Sequence, residues 1–521
     1  MRQPLRGKGS APRAQIVGTK TYSAPIRGWN ARDAISEMKP DEAITLDNWY
    51  PLPSYCEIRG GYASHATGMT GNGKTLVVYN AMSGTNKMFC STASGVYNVS
   101  SAGAVGASVA SRTNGKHQWT MFGDGTNSWL IMVNGVDKPL YYDGTTWTAV
   151  DGASTPALTG LTTTNIIGVA DFKGRLLFIE KSSLSFWYLA AGAAGGALSE
   201  FDLSGEAKRG GYLMAVISWS RDAGSGMDDF AVFITSEGEA IVYQGTDPSS
   251  STTWAKVGSY FVGKPLGRRC VTQYGADVII LTENGTFPLS VALQTAAVDA
   301  KMALSFKIEN KFTESARSYG SNFGWEVIVY PARTALIVNV PLAEDGTHHQ
   351  YVMNTVTKAW CRFNSWNAED FAVFNGQLYF CGGTVVYTAW TGTADGANGI
   401  IAYGKTAFSN FGIDGNKQIK MFRPVMAANG SFTFLTDIDV DFEDDEISET
   451  ATYTVQSSGV WDTATWDGSY WAFGMEILKE WQTPDEGIGR YIAGKIKVQT
   501  TSLTIQRMSS DYIYERAEGV I

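Results

Sequence analysis

The sequence predicts an all-β fold built around a β-propeller-like domain of about six or seven blades. An apolar run, a tight turn and a second apolar run ending near an aromatic recur seven times. Successive turns are about 40 to 57 residues apart, which is the length of a propeller blade. The chain also has 57 glycines, 12% aromatic residues and only 17% charged residues, as turn-rich β proteins do.

Each copy reads as two antiparallel strands around a hairpin, and a ring of such hairpins buries faces that one hairpin leaves exposed. The seven copies occupy residues 87–99, 129–142, 175–189, 230–243, 278–289, 327–340 and 377–390. The copy at 327–340 is the weakest because Pro331 stands at its turn. The longest interval separates the third and fourth copies and is Gly/Ala-rich, so we predict an insertion near 190–220 that ends in a strand at Tyr212–Trp219.

Three domains follow from these patterns. Residues 1–69 form an N-terminal arm and an irregular Pro- and Trp-containing segment, residues 70–400 the propeller-like domain, and residues 401–521 a C-terminal β domain. Alternating strands at 432–449 and 491–515 support the C-terminal β domain. Short helices are weakly indicated at 31–38 and around 206–209.

The arm carries basic residues and no acidic residue before residue 33. Arg2, Arg6, Lys8 and Arg13 make it a candidate docking arm, and a frayed terminus is the equal alternative. The arm lacks an apolar core, which argues against a secretory signal. No run of 18 apolar residues occurs anywhere, so no membrane-spanning segment is expected.

The net charge and the cysteine content argue against several kinds of function and site. The net charge of −9 disfavours tight binding to a phosphate backbone, whereas a partner that slides past remains compatible. The five cysteines are odd in number and widely spaced, so we expect buried free thiols rather than disulfides or a zinc site. Synthesis in a reducing compartment follows.

Residues 68–75 match the Walker A pattern, with Gly68, Gly73, Lys74 and Thr75 at its fixed positions. A phosphate-binding loop needs a buried strand before it and a helix after it, because the helix N-terminus holds the phosphates. Here the preceding stretch is polar, and residues 75–80 are β-branched and short, which favours a strand. We therefore interpret the match as a turn that arose by chance, and we expect no cofactor.

No catalytic constellation can be assembled, so the sequence predicts a protein that is not an enzyme. His348 and His349 follow what reads as an exposed hairpin loop and are expected at the surface, without a third metal ligand. Asp-Gly steps at 122–129, 142–148 and 466–471 resemble the Asp-box turns of sialidases but lack their spacing. They are better explained as tight turns.

An acidic stretch includes Asp437, Asp439, Asp441 and Glu443, which alternate with apolar residues on a predicted strand. Three interpretations stay open: a solvated strand face, a calcium site that lacks EF-hand spacing, and an acidic lining of a channel that repels DNA phosphates.

Two long passages, residues 24–68 and 201–270, together with VNGVDKPLYYDGTTWT (133–148), resemble the tail nozzle or hub proteins of short-tailed bacteriophages, also called packaged-DNA stabilisation proteins. The resemblance covers roughly residues 24–290 and fades towards the C-terminus. The motif at 68–75 has no counterpart in it.

The resemblance implies a structural virion protein in the phage tail, assembled in the host cytoplasm. Six copies would form a ring beneath the portal adaptor, or head-to-tail connector, and would contact tail fibre or tail needle proteins. The ring extends the DNA channel, closes it in the mature virion and opens on genome ejection, without binding DNA specifically. The alternative function is a tail-associated propeller that binds or degrades glycans, on a fold that hosts many functions.

Overall fold

In a computed structural model, the chain is described over residues 17–82, 84–222, 227–292, 300–447, 450–453, 475–478, 480–484 and 488–516. It divides into two compact units. The propeller unit comprises Trp29–Arg32 and Arg59–Ile400, and the second unit comprises Met1–Gly28, Asp33–Ile58 and Ile401–Ile521. Most of the propeller unit, Arg59–Ile400, is thus one long insertion in the chain of the second unit, and Trp29–Arg32 is a short separate segment of the propeller unit.

The propeller unit contains seven groups of antiparallel strands, here numbered as blades 1 to 7, which confirms the all-β propeller prediction. Blades 1 to 5 are separate sheets, whereas the strands of blades 6 and 7 belong to one larger sheet. Blade 1 comprises Thr75–Tyr79, Lys87–Ser91 and Val96–Asn98. Blade 2 comprises Gln118–Gly123, Ser128–Val133, Leu140–Tyr142 and Trp147–Ala149. Blade 3 comprises Ile166–Phe172, Arg175–Glu180, Ser185–Tyr188 and Ser199–Asp202. Blades 4 and 5 comprise Leu213–Asp222, Met227–Thr235, Glu239–Gly245 and Trp254–Phe261; and Val271–Tyr274, Asp277–Thr282 and Gly285–Pro288. Blades 6 and 7 comprise Glu326–Tyr330, Ala335–Pro341, His348–Asn354 and Trp360–Asn364; and Asp370–Phe374, Gln377–Gly382, Val385–Ala389 and Tyr62–Thr67.

Smaller elements complete the unit. Two-residue strands lie at Gly103–Ala104, Leu158–Thr159, Gly196–Ala197 and Ala394–Asp395, and the last pairs with Asn398–Thr406. Helical segments occupy Thr163–Asn165, Leu289–Ala292, Ala300–Met302, Phe306–Ile308, Glu309–Tyr319 and Pro331–Arg333.

Strand Tyr62–Thr67 closes the ring. It precedes blade 1 in sequence, yet it pairs with Val385–Ala389 as the outer strand of blade 7. The first strand of blade 7 also packs against the first strand of blade 1. The ring is therefore sealed by the two ends of its own chain segment.

Apolar side chains fill the spaces between blades, and the strand Thr75–Tyr79 shows why. All five of its residues are buried. Because successive side chains point to opposite faces, Leu76 and Val78 join a cluster with blade 7, while Val77 and Tyr79 join one with blade 2. Continuous apolar runs are thus required wherever a blade has a neighbour on each side.

The repeat found in the sequence corresponds to hairpins in the structure, but one copy covers a different pair of strands in its blade. Six copies fall on the second and third strands of their blades, as in Lys87–Ser91 and Val96–Asn98. The copy at 327–340 instead covers the first and second strands of blade 6, Glu326–Tyr330 and Ala335–Pro341. Pro331 begins a short 3-10 turn between them, and the blade count is preserved.

Three local predictions are corrected. The interval 190–220 is not an insertion, because it supplies the outer strand of blade 3 and the first strand of blade 4. Neither 31–38 nor 206–209 is helical. The longest helix among the described residues, Glu309–Tyr319, was not predicted; it buries Phe312, Ser315 and Ala316, and most of its other residues are polar and at least partly exposed.

The second unit is built from two groups of paired strands. In one, Ile505–Arg516 pairs with Val17–Ser23, Cys56–Ile58 and Lys417–Ala428, and the group also includes Trp49–Pro51, Glu476–Ile477 and Ile488–Gly489. In the other, Phe432–Val440 pairs with Thr450–Tyr453 and Ile492–Thr500, and Ala43–Asp47 pairs with the end of Asn398–Thr406. Phe422, Ile438 and Tyr512 share a core between the groups.

The basic N-terminal segment is only partly described. Val17–Ser23 forms a strand on the chain's own Ile505–Arg516, so this portion is not a free arm. Arg2, Arg6, Lys8 and Arg13 lie outside the described residues, and their docking role stays a prediction. Among the described residues, no helix is long and apolar enough to cross a membrane.

Candidate functional site

The axial channel of the propeller is the candidate site, because every blade contributes to it. A cavity of about 500 Å³ is lined by residues from the first strands of all seven blades, including Val78, Gln118, Val169, Met214, Val271, Glu326 and Asp370. First strands lie nearest the ring axis, so their polar side chains converge there although they are far apart in sequence.

A second cavity of about 510 Å³ shares part of its lining with the first. Gln118, Met214, Arg268 and Arg269 line both cavities, and we call these four residues the neck. The two arginines precede the first strand of blade 5, where Gly267 adopts a positive φ of 72° just before them. The neck is thus placed by the turn that enters blade 5.

Arg269 is held by a buried acidic pair. Its Nη1 lies 2.6 Å from Asp370 Oδ1, and its Nη2 donates to the Lys74 carbonyl at 3.0 Å and to Thr75 Oγ1 at 2.8 Å. Asp370 Oδ2 in turn accepts a hydrogen bond from the Leu76 amide at 2.6 Å. Arg269 therefore has both a carboxylate and neutral acceptors.

Glu326 is the second acid of this pair. Burial, with the Asp370 charge beside it, raises the pKa of Glu326 well above its usual range. Its Oε2 accepts the Phe371 amide at 3.0 Å. Burial raises the pKa of Asp370 as well, but the Arg269 charge 2.6 Å away opposes that shift. We therefore assign the negative charge to Asp370 and the proton to Glu326.

Arg268 differs from its neighbour. Its Nη1 donates to the carbonyls of Leu213 at 3.1 Å and Met214 at 3.0 Å, and its guanidinium lies 5.8 Å from the Tyr212 ring centroid. Burial lowers the pKa of Arg268. No carboxylate among the side chains that the structure describes pairs with Arg268, so within this part of the chain its charge is uncompensated.

The Walker-like residues do not form a phosphate-binding loop. Strand Thr75–Tyr79 follows directly, as predicted, so no helix N-terminus faces the loop. Lys74 is buried, and its Nζ lies 2.7 Å from Asp345 Oδ1 and 3.3 Å from carboxylate oxygens of Glu344 and Glu369. The amine is thus engaged by three acids. Gly68 and Gly73 lie in the loop between strands Tyr62–Thr67 and Thr75–Tyr79.

The prediction for the two adjacent histidines is wrong in one respect. His348 begins a strand of blade 6 and is only 1% exposed, and His349 is half-buried. Burial lowers the pKa of His349 to about 3, so it is neutral at neutral pH. The described residues contain no group of three or more His, Cys, Asp or Glu that could hold a metal.

The acidic strand is also reinterpreted. Asp437 and Asp439 are buried, so the solvated strand face, one of the three interpretations left open, does not apply to them. Asp439 Oδ2 lies 2.6 Å from Lys405 Nζ, and its Oδ1 pairs with Lys495. Asp441 and Glu443 are exposed. Only these two remain available for the predicted channel lining.

Two smaller predictions are confirmed. All five cysteines are free and buried. The Asp-Gly steps at 122–129 and 142–148 are tight turns, in which Asp124 Oδ1 accepts the Asn127 amide and Asp143 Oδ1 accepts the Thr146 amide, both at 2.6 Å. The third step, at 466–471, lies outside the described residues.

The neck and its acids were missed in the sequence. Glu326 and Asp370 each start an apolar strand, and Arg268 and Arg269 form a tandem pair ahead of another. A charged residue at the start of a first strand is the signal that could have found them, but it requires knowing which strand of each blade is the first.

Comparison with known proteins gives the fold alone. No family model and no curated protein matches the chain. Structural matches include the extracellular domain of a hybrid two-component system from B. thetaiotaomicron, at 9% identity over 66% of this chain and 45% of that one, with a TM-score of 0.38. BBS1N in complex with ARL6DN matches at 11% identity over 65% and 99%, with a TM-score of 0.39. The Swd1 β-propeller domain of Myceliophteria thermophila matches at 9% identity over 63% and 99%, with a TM-score of 0.40. These likenesses are too distant to carry an argument about function.

Proposed function

We propose that this chain is a structural virion protein, a tail nozzle or hub subunit of a short-tailed bacteriophage. The observation that carries the proposal is the resemblance of residues 24–68 and 201–270 to that class of protein. The first passage supplies Ala43–Asp47 and Cys56–Ile58 to the second unit and Tyr62–Thr67 to the propeller closure. The second passage covers the end of blade 3, all of blade 4 and the neck arginines.

In this role six copies form a ring below the portal adaptor, extend the DNA channel and help to retain and release the genome. Soluble homo-oligomers usually have closed point-group symmetry, and a head-to-tail interface between subunits gives a ring where its rotation closes. The net charge of −9 disfavours adhesion to DNA, which must pass without sticking. Tail fibre or tail needle proteins, and the adaptor itself, are the proposed neighbours in the virion.

The proposal also assigns no catalysis to the chain. Lys74 is engaged by three carboxylates, and Asp370 is engaged by Arg269. A glycan-cleaving propeller would instead need two acids placed on either side of a sugar bond.

The direct test is electron microscopy of the purified protein. Class averages with six-fold symmetry and a central opening are expected, and a monodisperse monomer at all concentrations, alone and with the purified adaptor, would overturn the ring. Incubation with host surface polysaccharide provides the second readout. Release of oligosaccharides would replace the nozzle with the glycan-degrading alternative, and no release is expected.

The acidic lining is tested at Glu443, which is exposed, rather than at the buried Asp439. We expect virions carrying Glu443→Lys to eject DNA more slowly, because a cation in the lumen attracts phosphate. Lys311→Glu, a charge change on the exposed helix, is the matched control. Equal ejection rates in both variants would remove Glu443 from the channel wall.

A further inference from the structure

The second axial cavity has the opposite charge to the chain as a whole. Its lining includes four cations, Lys116, Lys264, Arg268 and Arg269, and one carboxylate, Glu344. The complete chain has a net charge of −9. Low-dielectric walls concentrate a local field, so a cation of this cavity that lacks a counter-charge attracts anions.

Three of the four cations have counter-charges. Lys116 Nζ lies 2.5 Å from Glu344 Oε1, Lys264 Nζ lies 2.8 Å from Glu237 Oε2, and Arg269 pairs with Asp370. Arg268 has only carbonyl and aromatic neighbours. The positive charge that remains uncompensated is therefore located at the neck.

The side chain of Arg268 is preorganised for binding a ligand. Two carbonyls hold one end of its guanidinium, so little conformational entropy is left to lose when its other N–H groups engage a ligand. A guanidinium presents its donors as a planar fork that matches the two oxygens of a carboxylate or phosphate. Gln118, which also lines both cavities, has a side-chain amide with no partner among the described residues.

We propose that the neck of the axial channel is a binding site for a small oxyanion, a carboxylate or phosphate group, held by Arg268 with the Gln118 amide beside it. Cavities of about 500 Å³ on either side leave room for the remainder of a ligand of metabolite size. The site goes beyond the nozzle function and does not depend on ring formation.

The test is calorimetric titration of the full-length protein with two oxyanions and a neutral control. Inorganic phosphate and glucuronate are the probes, and glucose is the uncharged counterpart of glucuronate. We expect at least one oxyanion to bind and to raise the melting temperature, and glucose to do neither. Binding of phosphate alone identifies a phosphoryl ligand, and binding of glucuronate alone identifies an acidic sugar or other carboxylate.

Arg268→Met should weaken oxyanion binding at least about tenfold, because a hydrogen bond to a charged group is lost. Arg317→Met removes the same charge from the exposed face of a helix and should bind as the wild type does. If Arg268→Met fails to fold, Gln118→Glu tests the site instead, since a carboxylate in the neck compensates Arg268 and should abolish binding.

Failure of both oxyanions to bind the wild type would overturn the proposal. So would wild-type affinity in a folded Arg268→Met or Gln118→Glu variant. Neither result bears on six-fold symmetry, so failure of the site and failure of the nozzle proposal are separately visible.

Discussion

The two units each bury a cluster of three ionisable side chains, and the clusters have opposite compositions. In the propeller, one cation, Arg269, meets two acids, Asp370 and Glu326. In the second unit, one acid, Asp439, meets two cations, Lys405 and Lys495. Buried charge must be compensated in both places, because water is not available to solvate it.

The compensation differs. The propeller removes its surplus negative charge with a proton on Glu326, since burial favours the neutral acid. The second unit adds acceptors instead: Lys405 Nζ lies 2.8 Å from Asp444 at the surface, and Lys495 Nζ donates to the Asp445 carbonyl at 2.7 Å. The acid-rich cluster is thus neutralised by a proton, whereas the lysine-rich cluster is neutralised by a further carboxylate and a carbonyl acceptor.

The largest expected effect is at Asp439. Asp439→Asn leaves two buried ammonium groups without the carboxylate between them, and removal of one partner from a buried ion pair costs about 3–5 kcal/mol. Urea denaturation of the wild type and of the Asp439→Asn variant measures the loss in free energy of unfolding. Asp444→Asn, at the exposed end of the same cluster, should cost under about 1 kcal/mol. Equal losses would mean that Asp439 is not the centre of the cluster.

Asp370→Asn should be less damaging, at about 2–3 kcal/mol, although it also strands a cation. Arg269 keeps its bonds to the Lys74 carbonyl and Thr75 Oγ1, and Glu326 can release its proton to replace the lost charge. The double variant Asp370→Asn/Glu326→Gln removes that reserve. If the double variant is no less stable than Asp370→Asn, the acids do not substitute for each other.

Glu326→Gln should change the pH dependence of the folding stability more than it changes the stability at mildly acidic pH. The raised pKa means that the folded protein keeps a proton that the unfolded chain releases above about pH 4.3. Wild-type stability should therefore fall as pH rises from about 4.5 through the folded pKa. The variant lacks this proton, so its free energy of unfolding should rise relative to that of the wild type as the pH increases over that range. Unfolding free energies at matched pH values between 4.5 and 8 give the difference, and a constant difference would contradict it.

The smallest effect is expected where no compensation is needed. Lys311 and Glu314 form a 2.8 Å ion pair on the exposed face of the helix Glu309–Tyr319. Lys311→Ala should cost under about 0.5 kcal/mol, because solvent already screens both charges. A loss close to that of Asp370→Asn would show that burial is not what separates these pairs.

Local and non-local information explain what the sequence could predict. Hairpins such as Lys87–Ser91 with Val96–Asn98 were predictable, because turn and strands are neighbours in the chain. The outer strand Tyr62–Thr67 was not, since its partner lies more than 300 residues away. Asp439 alternates with apolar residues as a solvated strand does, and only the distant Lys405 and Lys495 reveal that it is buried.

Where the chain enters and leaves the propeller unit, Arg59 and Asp395 form a buried bidentate ion pair at 2.7 and 2.8 Å. The Gly61 backbone approaches Ala394 so closely that no larger residue fits. This ion pair and the neighbouring strand pair Tyr62–Thr67 with Val385–Ala389 therefore hold the two ends of Arg59–Ile400 together. A force that pulls these two ends apart acts on both connections before it can separate the strands of the other blades.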